Sequence, residues 1–313
     1  METPALGTPL DLRTSLEAVV TIRTEIPEDS FTAPLLGTER EGSGVLIRAD
    51  GLILTIGYLI LEAESVWIIT SNGSATPGHI VGYDHDSGFG LIQALGKLHC
   101  APAPLGDSDA CKIGDDVIVS GREGLVNATE ARILTKREFA GAWEYVLDEA
   151  IITAPAHSDW SGSALFDRAG RLLGIASLFL QQVEDDPNAI DGNLSVPINL
   201  LKPIIDDIQG YGRISKPPRP WLGIYLSEVG DQIVVAGLAD QGPAAESGIR
   251  VGDILVEVGP VRAKSVAHAF RTLWSLGPSG TIVPLTLERG RQQLDMSIKS
   301  ANRADFLRQP QLH

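Results

Sequence analysis

Between residues 18 and 179 the chain repeats one pattern: short runs of β-type residues broken by Gly, Asp and Ser, with few stretches of helical periodicity. The runs fall at 18–23, 44–47, 52–55, 65–70, 79–82, 90–94, 116–120, 131–135, 150–153, 163–166 and 172–179. Strands this short cannot bury their apolar side chains singly, so a regular succession of them closes into a sandwich or into barrels. A mainly β fold is therefore expected here. No strict internal repeat is visible, although two similar barrels can be alike below the level of sequence detection.

The pattern changes after Ile198. Leu200, Leu201, Ile204, Ile205 and Ile208 recur at helical spacing behind Asn199, an expected N-cap, and Gly210 and Gly212 are expected to end the helix. Lys216-Pro217-Pro218-Arg219-Pro220 then forms a stiff linker, because consecutive prolines cannot continue a helix. This divides the chain into domains at 1–215 and 216–313. The second is a small α+β unit, with strands expected at 222–226, 233–235, 254–258, 282–287 and 294–298. It has a short helix at 243–247 and an amphipathic helix at 266–276 carrying Val266, Ala269, Phe270 and Leu273 on one face. The tail after Ala301 is expected to fray.

A chain of 313 residues exceeds what one compact core usually serves, in keeping with two domains. The formal net charge of −15 repels phosphate backbones and anionic lipid, which argues against nucleic-acid and membrane-surface partners. No apolar run approaches the length of a membrane span. Residues 1–14 have neither a basic start nor an apolar stretch of the secretory kind, so a cytoplasmic location is expected, or an extracytoplasmic one if a leader has been removed. Cys100 and Cys111 are not a disulfide framework; two half-buried thiols is the plainer reading and a single bridge the alternative. No phosphate loop, dinucleotide fingerprint or His/Cys ligand cluster occurs, so no cofactor and no metal is expected.

Several segments together resemble HtrA/DegP-type serine proteases, which are trypsin-like double β-barrels followed by a PDZ domain. Gly42-Ser43-Gly44-Val45-Leu46-Ile47 with Asp50-Gly51-Leu52-Ile53-Leu54-Thr55 is similar to the hairpin before that family's catalytic histidine. Ile80-Val81-Gly82-Tyr83-Asp84 resembles the strand before its aspartate. Pro104-Leu105-Gly106-Asp107-Ser108 and Ile113-Gly114-Asp115 resemble the stretch that follows. Ser161-Gly162-Ser163-Ala164-Leu165, Leu173-Gly174-Ile175 and Ser195-Val196-Pro197-Ile198 resemble the nucleophile loop and the strands after it.

The resemblance implies a proteolytic ancestry, yet the triad does not carry over. Such catalysis needs a hydroxyl, an imidazole to take its proton and a carboxylate to orient the imidazole. The serine matches Ser161, but the histidine falls on Tyr58 and the aspartate on Gly88. A phenol with a pKa near 10 is not a base at neutral pH, and glycine brings no carboxylate. The family's oxyanion-hole glycine falls on Asp159, a poor neighbour for developing negative charge, with bulky Trp160 next to it. His157 and His85 are the histidines nearest in sequence for a rewired base.

Trp221-Leu222-Gly223-Ile224 resembles the carboxylate-binding loop of bacterial PDZ domains, and the stretch from Pro243 to Leu255 resembles their central signature. A PDZ groove adds an extended peptide to a sheet edge while loop N–H groups hold its terminal carboxylate. Leu222, Gly223 and Ile224 are accordingly the expected peptide-binding residues. The reading that results is a pseudoprotease that binds protein C-termini or unfolded peptides in protein quality control. It would act as scaffold, chaperone or regulator of active HtrA-type relatives. The alternatives are a working endopeptidase using Ser161 with a rewired base, and a holdase that uses neither site. The resemblance also implies a homo-oligomer, since these proteins commonly form trimers through segments before the barrel; here the residues before Ala18 carry no aromatic anchor.

Overall fold

Short strands with long buried runs close into a six-stranded antiparallel barrel. They are β1 (Val19–Glu25), β2 (Glu39–Leu46), β3 (Leu52–Ile56), β4 (Ser65–Ile69), β5 (Ala75–Tyr83) and β6 (Phe89–Ala94), in the order β1-β2-β3-β6-β5-β4. The computed structural model describes residues 12–183 and 190–308. Ile22, Leu52, Ile53, Leu54, Ile68 and Leu91 on these strands have no exposure to solvent, β3 being buried on both faces. Each side chain so buried is worth about 1.5–3 kcal/mol.

A second closed barrel follows, built of β7 (Asp116–Ser120), β8 (Ala128–Gly141), β9 (Tyr145–Ala154), β10 (Ala164–Asp167), β11 (Leu172–Leu180) and β12 (Gly192–Pro197). Val117, Val119, Ile133, Ile151, Leu165 and Leu173 form its core. The two barrels meet where the Ser43 amide donates to the Ser161 carbonyl (2.8 Å) and Thr55 Oγ1 donates to the Ser43 carbonyl (2.7 Å). This joins the end of the first barrel's β2–β3 pair to the loop before β10. Short helices α1 (Leu12–Glu17) and α2 (Ala33–Leu36) precede and follow β1 in sequence, and α3 (Ile205–Tyr211) follows the second barrel.

The helix expected behind Asn199 differs. Residues Ile198–Leu200 form a 3-10 turn, and α3 starts only after Ile204, because Pro203 supplies no N–H at the point where a continuous helix would need one. Asn199 is not an N-cap; its side chain donates to Asp107 Oδ1 (2.6 Å). Gly210 lies inside α3, and Gly212, in a left-handed conformation, ends it.

The chain divides into two compact units, and the second comprises Ser215–Arg308 together with Glu138–Asp148, the far end of the β8–β9 hairpin. The sequence pattern does not reveal that the hairpin end groups with this unit. Its sheet has the order β13-β14-β15-β17-β18, from β13 (Ile224–Val229), β14 (Gln232–Leu238), β15 (Ile254–Val258), β17 (Ile282–Arg289) and β18 (Gln292–Lys299), with β16 (Val261–Arg262) paired to β15. Two helices, α4 (Pro243–Glu246) and α5 (Val266–Ser275), complete it. Ser265 caps α5 by accepting from the His268 amide (3.0 Å), and Val266, Ala269, Phe270 and Leu273 are buried, as the apolar spacing predicts, together with Ala267. The tail is ordered from Ala301 to Arg308: Arg303–Phe306 form a 3-10 turn and Phe306 packs on Trp221 with ring centroids 4.8 Å apart, and residues 309–313 lie outside those described. The ring pair, the burial of Leu307 and the main-chain bonds between Trp221 and Ala301 hold this segment.

Candidate functional site

Tyr58 stands on the 3-10 turn that ends β3. Its carbonyl accepts from Arg40 Nη1 (2.7 Å), and the same guanidinium donates to the Leu61 carbonyl (3.1 Å) and to Thr32 Oγ1 (2.8 Å). Burial lowers the Arg40 pKa to about 10 against the opposing influence of Glu62. The turn is thus held by a buried cation.

The structure brings Tyr58 and Ser161 together, with the phenol oxygen 2.9 Å from Ser161 Oγ. The same phenol donates to the Ser177 carbonyl (3.0 Å). A phenol has one proton, so with that proton on Ser177 the Ser161 hydroxyl is the donor in the contact between them. Burial, partly offset by the Ser161 hydrogen bond, holds the Tyr58 phenol well above its ordinary pKa. The Ser161 proton therefore points at a neutral oxygen with negligible basicity.

Gly88, onto which the resemblance maps the aspartate, lies beside the turn of Tyr58 and supplies only backbone. Its carbonyl accepts from the Gly57 amide (2.7 Å), next to Tyr58, and its amide donates to the Asp84 carbonyl (2.9 Å). The φ of +83° at Gly88 is one that side-chain-bearing residues adopt at a cost, so the turn has settled into a glycine conformation. Asp84 is spent on the same turn, accepting from the amides of Asp86 (3.0 Å) and Ser87 (2.8 Å). His85 lies edge-on to Tyr83 at 4.8 Å.

Asp159 sits in a network that sequence reasoning missed. Its carboxylate accepts from Arg122 Nη2 (2.8 Å) and Nε (3.2 Å) and from Asn127 Nδ2 (2.6 Å). The hydrogen bond from Arg122 is the main reason its pKa lies below the usual carboxylate range. The Asp159 amide donates to His157 Nδ1 (3.1 Å), so this N–H is directed at a side chain and not at a substrate oxygen. His157 Nε2 is 2.9 Å from the Asn127 carbonyl, which can only accept. The imidazole is therefore the neutral Nε2–H tautomer with both ring nitrogens engaged. Asn193 locks the backbone of His157, accepting from its amide (2.6 Å) and donating to its carbonyl (3.3 Å). Trp160 packs against Tyr58 with ring centroids 6.4 Å apart.

In the second unit, Gly223 takes a φ of +72°, and a Cβ there would lie 3.1 Å from the Trp221 ring and 3.0 Å from Ala239 Cβ. This glycine lets the amides of Leu222, Gly223 and Ile224 turn toward one point. The buried carboxylate of Glu144 occupies that point, 2.7 Å from the Gly223 nitrogen. No spacing in the sequence marks Glu144; only the fold shows the contact. Among the described residues Cys100 and Cys111 are free, and no cluster of three or more His, Cys, Asp or Glu is set to hold a metal. No described helix is long and apolar enough to cross a membrane.

Residues 42–175 match the family described as trypsin-like peptidase domain, and residues 220–300 match the PDZ domain. Two barrels with a PDZ unit behind them define the class: a trypsin-like peptidase homologue with a peptide-binding module. Within that class the chain is similar to HtrA-type proteases. It is 26% identical over 295 residues to the serine protease Do-like HtrA of Lactobacillus helveticus, covering 84% of this chain and 69% of the relative. It is 24% identical over 263 residues to the serine endoprotease DegS of Haemophilus influenzae, covering 80% and 74%. A probable periplasmic DegP-like endoprotease of Pseudomonas putida (strain W619) is 26% identical over 284 residues, of which this chain spans only 55% of the relative's length. In fold it is similar to the HtrA-type protease AlgW with a decapeptide, with a TM-score of 0.54, 21% identity, and coverage of 96% of this chain and 100% of that one. The periplasmic descriptions overturn the cytoplasmic location expected from residues 1–14 and indicate an extracytoplasmic one. A folded barrel meets the same surface demands on either side of a membrane, so the rest of the sequence does not oppose this, and residues 1–11 lie outside those described.

Proposed function

We propose that this HtrA-type chain does not hydrolyse peptide bonds and works by binding peptides or protein C-termini through its PDZ groove, in an extracytoplasmic compartment. The observation that carries the reading is the Ser161 hydroxyl paired with a neutral phenol at 2.9 Å, where a base is required. In this reading Ser161, Tyr58 and Gly88 are vestigial triad positions, Asp159 is an altered oxyanion-hole position, and Leu222, Gly223 and Ile224 hold the ligand's carboxylate. The engaged nitrogens of His157 argue against a rewired base on that side chain. Losing the serine or histidine of such a triad costs about 10⁶ in turnover, or about 8 kcal/mol of transition-state stabilisation.

The test is casein degradation by the full chain beside Ser161→Ala. Equal inertness of the two supports the reading. Cleavage by the wild type that Ser161→Ala abolishes would mean a working endopeptidase and sink it. Binding as scaffold for active relatives and as holdase for unfolded chains separate on Gly223→Ala, because only a scaffold that grips C-termini loses its partners.

A further inference from the structure

The carboxylate-binding loop of the second unit is already filled from within. Glu144 Oε1 accepts from the amides of Leu222 (3.1 Å), Gly223 (2.7 Å) and Ile224 (3.1 Å), and Oε2 lies 3.3 Å from the Leu222 nitrogen. Glu144 adopts a φ of +58°, which a glutamate takes up only where surrounding contacts hold it there. Two residues before it, the Ala142 carbonyl accepts from the Leu226 amide (3.0 Å), a main-chain bond to the strand that a bound peptide would extend. Two residues after it, Val146 is buried in the apolar cluster of Leu222, Ile224, Phe270 and Leu273. On the other wall, Arg271 of α5 donates to Asp148 (2.6 Å) and to Glu138, at the two ends of the same segment.

These are the three contacts that a PDZ ligand makes: a carboxylate on the loop amides, a backbone bond to the edge strand, and an aliphatic side chain under the helix. We propose that Glu138–Asp148 is an internal ligand of the groove, in which the Glu144 carboxylate stands in for a terminal carboxylate and Val146 for a terminal side chain. A peptide with a free C-terminus and a small aliphatic last residue then binds only by displacing this segment. The proposal rests on the peptide-binding reading of the groove given above. Displacement is favoured by chemistry as well as by geometry. Burial raises the Glu144 pKa to about 7 despite its three amides, whereas a terminal carboxylate starts about a unit lower and stays ionised more readily in the same place.

An internal ligand reduces apparent affinity by the fraction of molecules in which the groove is open. The experiment uses the full chain as wild type, Glu144→Ala and Arg271→Ala. Fluorescence anisotropy follows a fluorescein-labelled decapeptide ending in valine, as free acid and as C-terminal amide. Hydrogen exchange is read at the amides of Gly223 and Ile224, with β17 and β18 as the folding control. Glu144→Ala is expected to bind the free acid at least about tenfold tighter than wild type, with faster exchange at both amides and no gain for the C-terminal amide peptide. Arg271→Ala, which leaves the carboxylate loop intact, is expected to shift affinity and exchange in the same direction by less, and serves if Glu144→Ala loses the control protection. Unchanged exchange at Gly223 and Ile224 in the variants, or binding of the free acid by wild type and variants with equal measurable affinity, overturns the internal ligand. Faster exchange with no peptide binding by any form upholds the internal ligand and overturns the peptide-binding reading instead.

Discussion

Removing one oxygen atom tests what the Tyr58 phenol does at Ser161. In Tyr58→Phe the ring remains, but the contacts to Ser161 Oγ (2.9 Å) and to the Ser177 carbonyl (3.0 Å) are lost. The two losses are unequal. Ser161 is only partly buried and its hydroxyl can turn to water, so its share is small. Ser177 is buried, and its carbonyl is left without the phenol donor, which costs about 1–2 kcal/mol in such settings. For a domain of this size each kcal/mol moves the melting temperature by about 2–4 °C, so a fall of about 2–8 °C is expected in differential scanning calorimetry. The variant also frees the Ser161 hydroxyl, yet no base takes its proton, so casein stays intact. An unchanged melting temperature would refute the claim that the phenol ties the two barrel loops together. Casein cleavage by Tyr58→Phe that disappears in the Ser161→Ala background would refute the claim that a missing base is what silences the site.

Two further outcomes follow from the second unit. Glu144 has a pKa of about 7 when docked against an ordinary value of 4.5, so docking takes up a proton between these values. The docked segment is accordingly most stable below about pH 4.5 and loses about 3 kcal/mol as pH rises through 7. Arg303 faces this carboxyl as a permanent cation, and Tyr225 as a phenol that burial keeps neutral throughout, so neither titrates in the window. Anisotropy titrations at pH 5, 6, 7 and 8 should show the valine-ended peptide binding wild type more tightly with rising pH and Glu144→Gln without that trend; a trend shared by both would assign it elsewhere. Asp253, almost fully buried, accepts from Arg289 Nε (2.6 Å) and Nη2 (2.7 Å) and from the Arg250 amide (2.8 Å). Asp253→Ala leaves these donors unmet and should lower the unfolding free energy by about 2–3 kcal/mol in urea, with a loss under about 0.5 kcal/mol counting against a structural role for the pair.

Much of this architecture is legible in residue order because its causes are local. Strand runs cut by Gly and Asp, the prolines from Pro217 to Pro220 and the apolar spacing of α5 act within a few residues, and periodicity reports which face of an element is buried. The absence of an imidazole at Tyr58 and of a carboxylate at Gly88 is likewise a matter of residue type, and no packing can restore either group. Helix starts were less legible: Asn199 has the chemistry of a cap but is drawn to Asp107 by contacts distant in sequence.

Pairing across the chain was beyond the sequence. Tyr58 and Ser161 are separated by 103 positions, and Glu144 and Gly223 by 79, and no periodicity encodes which polar groups meet after such loops close. The engaged ring of His157, the grip of Arg122 and Asn127 on Asp159, and the filled carboxylate loop were all decided by tertiary structure. A buried hydrogen bond depends on atoms brought within about 3 Å by the whole fold, whereas the hydrophobic pattern that drives the fold asks only that apolar surface be covered. The sequence by itself thus determined what kind of protein this is and which chemical groups it lacks. The fold determined what its remaining groups touch.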